Sequence, residues 1–374
     1  MKKFAIIGAS YLQEPLVRKA QEMGLYTICF AWADGATCKG ICDKFYDISI
    51  VEKDLILDVC KKEKIDGIAT IASDVAAPTV AYVANKMGLT ANDYEAAVRA
   101  NNKFLMRNAF MAANVPCPQY KMVTSIEEAR DIDWAYPLIV KPSDRSGSMG
   151  VTKVLSPEEL TPAVEKALSC SFKKQAMIEE FIEGREISVE FISYKGVHYP
   201  LQITDKVTTE APHFVELAHH QPSTLSKEMF AKIYDLTRNA LDALGLTNGA
   251  SHSEYKITAD GRIAIMEVGG RMGGDFIGSD LVRLSTGYDF VKGVIDVALD
   301  AFEEPKLTEN SYSGVYFLCK ETQHLLPIIQ NWKDNSVFVQ GEITDSSLHH
   351  VEKSSDRNGY VIYKNNNKVQ LSQL

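Results

Sequence analysis

The chain has 374 residues, of which 45% are hydrophobic and 24% charged, with a formal net charge of −9. That length calls for two or three folding units rather than one core. The acidic balance, without a long Lys/Arg run, argues against a nucleic acid or an anionic membrane as partner. No stretch approaches the roughly 20 apolar residues of a membrane span. The run Phe4-Ala5-Ile6-Ile7-Gly8 is too short for a signal peptide, so a cytoplasmic protein is expected. The seven cysteines are scattered and only Cys38 and Cys42 lie close together. No zinc set is formed, and reduced thiols are expected.

The first hundred residues alternate in the α/β manner. Strands are predicted at Phe4–Ile7, Tyr26–Phe30 and Gly67–Ile71, with helices at Pro15–Met23, Asp54–Lys62 and Val75–Met87. Alternation of this kind implies a parallel sheet covered on both faces. Its ligand-binding end would be formed by Gly8-Ala9-Ser10, Ala31–Gly35 and Ala72-Ser73-Asp74. The dinucleotide glycine fingerprint is absent after Gly8, as is a GxxxxGK[ST] loop throughout. A helix is predicted over Asn101–Ala113, with Lys103 and Arg107 on one face.

Three segments then carry chemistry. In the first, the apolar strand Pro137-Leu138-Ile139-Val140 ends in Lys141-Pro142. The loop Ser143-Asp144-Arg145-Ser146-Gly147-Ser148-Met149-Gly150 follows. Small residues let backbone N–H groups approach phosphate oxygens, and a neighbouring lysine adds a point charge. Taken alone, such a loop is equally an ordinary hairpin turn.

In the second, Ala176-Met177-Ile178-Glu179-Glu180-Phe181-Ile182 runs through a turn at Gly184 into Glu186. Apolar groups beside backbone and acid acceptors suit an adenine and its ribose, although an acidic hairpin reads the same way. In the third, Glu254 and Glu267 lie on two predicted strands, His252–Ile257 and Arg262–Val268, joined by a short turn, so their carboxylates can converge. Oxygen ligands of this kind suit Mg²⁺ shared with phosphates. Arg271 follows in a stretch rich in glycine.

In this order the three segments resemble the ATP-grasp superfamily, including members described as carbamoyl-phosphate-synthase-like or phosphoribosylglycinamide-synthetase-like. The resemblance implies an α/β and α+β architecture. Residues 1–100 would form a parallel α/β pre-ATP-grasp domain, 101–304 the ATP-grasp domain with the nucleotide between two lobes, and 305–374 a small β-rich domain. It further implies that Lys103 and Lys141 contact ATP phosphates and that Ser146, Gly147, Ser148, Met149 and Gly150 close over them. Glu179 and Glu180 with Phe181 and Ile182 would meet the adenine, and Glu186 the ribose. Glu254 and Glu267 would hold Mg²⁺ or Mn²⁺, and Arg271 would act on the transferred phosphoryl group or the substrate carboxylate.

One position departs from the family pattern. Glu-x-Asn is usual at the second metal glutamate, and the Asn position is Gly269 here, which leaves Asp275 as a substitute to test. The implied activity is an ATP-dependent ligase that joins a small carboxylate to an amine through an acyl phosphate. A binding protein without catalysis, and a carboxylase or purine-biosynthesis type of enzyme, are the competing readings. The polar stretch Thr204–Glu216 reads as a connection between strand and helix, with Lys206 and His213 as substrate candidates. A homodimer is the common prior. The tail is read as short strands at Gly314–Leu318, Ser336–Val339, His349–Val351 and Gly359–Tyr363.

Overall fold

The structure is a computed structural model, and it describes residues 1–145, 149–209 and 213–371. Four strands open the chain: β1 (Lys3–Ile7), β2 (Tyr26–Ala31), β3 (Lys44–Asp47) and β4 (Gly67–Ala69). They form a parallel sheet in the order β3-β2-β1-β4. The two-residue period of a strand decides which side chains face which way. Phe4 and Ile6 enter one core with Leu16, Val17, Phe290 and Val294. Ala5 and Ile7 enter the other with Ile56, Leu57 and Val83. Both faces are therefore buried, as a parallel sheet requires. One of them is closed in part by the helix Phe290–Ala298, contributed from far along the chain.

The predicted helix over Asn101–Ala113 is found as Lys103–Ala112, and a separate helix precedes it. Tyr94–Ala100 ends at Asn101, and Asn102 then caps Lys103–Ala112 by accepting from the Leu105 N–H at 3.0 Å. An asparagine at this position satisfies one of the open donors of a helix start. The break sets Lys103 in the first turn of the new helix.

A second, antiparallel sheet is made by β5 (Tyr120–Val123), β6 (Leu138–Pro142), β7 (Thr152–Val154) and β8 (Ala176–Glu180), in the order β5-β8-β6-β7. Leu138, Val140 and Ile178 pack on Val164 and Ala167 of the helix Pro157–Cys170.

The third sheet has eight strands. These are β9 (Arg185–Tyr194), β10 (Val197–Thr208), β11 (Glu216–Gln221), β12 (Gly249–Ile257), β13 (Ile263–Gly269), β14 (Tyr312–Leu318), β15 (Phe338–Ile343) and β16 (Gly359–Asn365). Their order is β13-β12-β9-β10-β11-β14-β16-β15. Ile187, Val189 and Phe191 of β9 pack against Ile233, Leu241 and Leu244 of the helix Lys227–Leu244. Its alternate residues, Glu186, Ser188 and Glu190, point to the opposite face.

Several predicted elements move. Thr204–Thr208 is the end of β10 rather than a connection, so Lys206 stands on a strand; its polar neighbours hid the alternation. In the tail, Ser336–Val339 gives way to β15, and His349–Val351 is not a strand. Val351 is apolar because it packs against Val215 and Cys319. The tail strands join the main sheet through antiparallel pairing of β11 with β14, from Ala218↔Tyr316 to Gln221↔Ser313.

Gly184, between β8 and β9, tests how tightly the two antiparallel sheets are joined. A Cβ there would stand 2.3 Å from the Ile257 carbonyl oxygen and 2.6 Å from its carbon. Backbone cannot yield as a flexible side chain can, so Gly184→Ala should cost about 1–3 kcal/mol in urea denaturation. Gly40→Ala, where a Cβ meets nothing within 4 Å, should change stability by less than about 1 kcal/mol.

Candidate functional site

The two antiparallel sheets and the carboxyl end of the parallel sheet enclose a cleft of about 350 Å³. Lys103, Lys141, Glu179, Glu180, Phe181, Ile182, Glu186, Glu254, Glu267 and Arg271 all line it, with Met149 at its edge. Ser146, Gly147 and Ser148 lie outside the described residues. Gly150 is needed where it is. It adopts φ +73, and a Cβ would press on Pro142 Cγ at 2.9 Å and Cys170 Cβ at 3.0 Å.

Lys141 ends β6 with its Nζ 2.5 Å from Glu179 Oε2. Arg107 Nε lies 2.9 Å from the other oxygen of Glu179, as an ion pair without hydrogen-bond alignment. Arg107 also donates to the Met266 carbonyl at 2.7 Å. Glu179 is 1% exposed. Burial pushes its carboxyl pKa up, but Arg107 and Lys141 outweigh this and hold it at about 2. Burial together with the nearby cations Arg107 and Lys103 depresses Lys141, against the pull of Glu179. Glu180 instead turns outward to Arg262, at 2.5 and 2.9 Å. Lys153 stands over the Phe181 ring, 3.8 Å from its centre.

On the third sheet the register explains the chemistry. Glu190 lies opposite His252, Ser188 opposite Glu254, and Glu186 opposite Lys256. His252, Glu254 and Lys256 are every second residue of β12, so all three face the cleft. His252 bridges Glu190 and Glu254, the latter at 3.3 Å. Burial opposes its charge, yet Glu190 raises its pKa to about 9. Glu190 also accepts from the Gly273 N–H at 3.1 Å. Lys206, on β10, reaches Glu186 and Glu254 at 2.9 Å each and Glu216 at 3.6 Å. Burial disfavours its ammonium, but Glu254, Glu186 and Glu216 hold its pKa well above the usual lysine value. His213 is exposed and does not line the cleft.

Glu254 and Glu267 stand directly opposite each other across β12 and β13. Lys103 Nζ pairs with Glu267 at 2.9 Å. Among the described residues no group of three His, Cys, Asp or Glu side chains is gathered as a metal cage. Two carboxylates in an open cleft nonetheless fit Mg²⁺, which usually takes one or two protein carboxylates and completes its shell with water and phosphates.

Asp275 is not the replacement for the missing Asn. The chain turns at Asp275 and Phe276 with φ 50 and 66, and Arg357 takes the Asp275 carboxylate at 2.8 and 2.7 Å. The space beside Gly269 is occupied by Asp74 of the first unit. Its Oδ1 lies 2.6 Å from where a Cβ would stand at position 269, and its Oδ2 accepts from Arg271 at 2.6 Å.

Residues 134–280 match the ATP-grasp domain family. Over these residues the chain is similar to an ATP-grasp domain. It is 29% identical over 243 residues to the alanine–anticapsin ligase of Bacillus subtilis strain 168, an overlap covering 59% of this chain and 51% of that protein. It is 28% identical over 179 residues to the D-alanine–D-alanine ligase of Geotalea uraniireducens strain Rf4, covering 46% and 56% respectively. The chain thus spans about half the length of the curated relatives it matches. Among solved structures, an L-amino acid ligase from Bacillus licheniformis superposes with a TM-score of 0.84 at 21% identity, over 98% of this chain and 94% of that one. Phosphoribosylglycinamide synthetase from Anaerococcus prevotii gives 0.78 at 22%, with the same coverage. These likenesses confirm the ATP-grasp fold.

Sequence reasoning passed over Glu190, His252 and Lys256 as site residues, and it named Asp74 only within the strand-end loop Ala72-Ser73-Asp74. For His252 and Lys256 a signal existed, the two-residue alternation around Glu254. For Asp74 the strand end was the signal, but its pairing with Arg271, 197 residues away, was not.

Glu179 offers a test of the buried charges. Glu179→Gln leaves Arg107 and Lys141 without their counter-charge and should lower stability at pH 7 by about 3–5 kcal/mol. The folded-state pKa is depressed, from 4.5 to about 2. The stabilising charge is therefore present above the unfolded value and lost as pH falls through the folded one. Denaturation of both proteins across this range should show the gap closing toward pH 2.

Proposed function

We propose that this protein is an ATP-dependent ligase that activates a small carboxylate and joins it to an amine. The observation that carries this reading is the convergence of Lys103 from a helix, Lys141 from β6, and Glu254, Glu267 and Arg271 from β12, β13 and the loop after it, on one cleft. Phosphoryl transfer needs positioning and charge neutralisation more than a protein nucleophile. The supply of cationic groups beside a paired carboxylate site meets that need.

In the proposed reaction a substrate carboxylate oxygen attacks the γ-phosphorus of ATP. The bond to the bridging oxygen breaks and ADP leaves. The amine nitrogen then attacks the acyl carbon of the acyl phosphate, the acyl–oxygen bond breaks, phosphate leaves and the nitrogen loses a proton. Lys103 and Lys141 neutralise phosphate oxygens. Arg271 presents a planar donor fork to the carboxylate or the moving phosphoryl group. Glu254 and Glu267 would hold Mg²⁺ or Mn²⁺, which supplies further neutralisation of phosphate charge. Lys206 and His252 keep Glu254 ionised and oriented. Phe181 and Ile182 give the apolar edge for the adenine, and Glu186 faces the ribose.

An unfilled metal-ligand position at Gly269 would favour a binding protein without catalysis. Asp74 fills the space beside it, so that position is no gap in the charge arrangement. Among the described residues no helix is long and apolar enough to cross a membrane. A cytoplasmic location agrees with a need for ATP and Mg²⁺.

The reading is tested by ADP release with pairs of small acids and amines. Release should require both partners, and equal release with neither would exclude a ligase. Glu267→Ala should reduce turnover at least about 100-fold while leaving the denaturation midpoint within a few degrees of the parent. Raised Mg²⁺ should restore part of that loss if Glu267 acts through the metal.

A further inference from the structure

We propose that Asp74 binds the ammonium of an α-amino acid whose carboxylate is the group activated beside Arg271. The inference rests on the ligase reading and names its substrate class.

Asp74 lies on the loop after β4, at the carboxyl end of the parallel sheet. Its position is fixed. Ala72, at φ 57, donates its N–H to the Met272 carbonyl at 3.2 Å, and Gln13 Nε2 holds the Ile71 carbonyl at 2.8 Å. The loop is therefore bound to the segment that carries Arg271, and the acid and the arginine form one unit.

That unit is incompletely satisfied. Asp74 Oδ2 accepts from Arg271, but Oδ1 accepts no hydrogen bond among the described residues. Arg271 donates to Asp74 and to the Met272 carbonyl, and its Nε is buried without a partner. One acceptor and one donor are thus left over at a single point of the cleft. A zwitterion with adjoining carboxylate and ammonium groups supplies the complement of both. Gly269 fits this arrangement, because a side chain there would collide with Asp74 Oδ1. Neutralising Arg271 would require only one oxygen of Asp74 and no cleared space around the other.

An acid without the amino group would leave Oδ1 desolvated and unpaired. Sites built to hydrogen-bond a substrate group reject analogues that lack it. Discrimination between an amino acid and its des-amino counterpart is thus the property that Asp74 sets.

The experiment uses hydroxylamine to trap the acyl phosphate as a hydroxamate, so the natural amine need not be known. The full chain, ATP and Mg²⁺ are supplied with each of the common L-amino acids and with the matched des-amino acids, alanine against propanoate being the simplest pair. The parent protein should use at least one amino acid with kcat/KM at least about tenfold above its des-amino match. Asp74→Asn should reduce that preference by about tenfold or more, chiefly through KM for the amino acid. The ratio cancels any general effect of freeing Arg271. Gly269→Ala, which displaces the Asp74 carboxylate without removing it, should reduce the preference in the same direction. A preference unchanged in both variants, or absent from the parent protein, overturns the assignment. Failure of the parent protein to form hydroxamate from any acid overturns the ligase reading itself, and the assignment falls with it.

Discussion

Lys206 has only 4% of its side chain exposed, and it sits within 3.6 Å of three glutamates, Glu186, Glu216 and Glu254. A charge taken this far from water is tolerated only when it is closely paired. The converse also holds, since those glutamates face the same cleft and would repel one another without the lysine. Most charged groups of the site obey this constraint. Glu179 is matched by Arg107 and Lys141, Glu267 by Lys103, Glu190 by His252 and Asp74 by Arg271. Under the proposed reading, a nucleotide with its metal would bring strong charges of both signs into this set. The existing pairs can then exchange partners, so that less new desolvation is needed on binding.

The interleaving depends on sheet register. Glu186, Lys206, Glu254 and Glu267 stand on four strands of the eight-stranded sheet, and backbone hydrogen bonds fix which of them lie opposite. A slip of one residue would send each to the other face, against Ile233, Leu241 and Leu244. The apolar residues that alternate with the charged ones prevent this. Val189, Ile265 and Val268 lock the register by burial, and the chemistry on the other face follows from it.

This is also why part of the site was legible in the sequence and part was not. Lys141 and Glu267 stand near the ends of apolar strands, where a charged residue breaks the local pattern. Glu254 and Glu267 could be placed together because a short turn joins their strands. Lys206 could not be placed, because Thr204, Asp205 and Thr208 obscure the period that marks β10. The helix Lys103–Ala112 was legible, whereas the short helix Tyr94–Ala100 just before it was not read. Glu179 and Glu186 were assigned to the nucleotide, but their ion partners come from positions that local pattern does not connect. Asp74 and Arg271 are separated by 197 residues, and only the packing of two units brings them together.

The dependence between units extends beyond Asp74. The matched domain, residues 134–280, contains Glu179 but neither Arg107 nor Lys103. On its own it would bury the Glu179 carboxylate against Lys141 alone and leave Glu267 without its lysine. The first unit is equally incomplete, because Phe290 and Val294 of a later helix fill one face of its sheet. Cores and charges are therefore shared in both directions across the junction. Such sharing couples the two sides of the cleft, since a shift of the Asp74 loop must disturb both the Ala72–Met272 hydrogen bond and the Asp74–Arg271 pair. The carboxyl end of the parallel sheet thus acts as a fixed wall of the cleft.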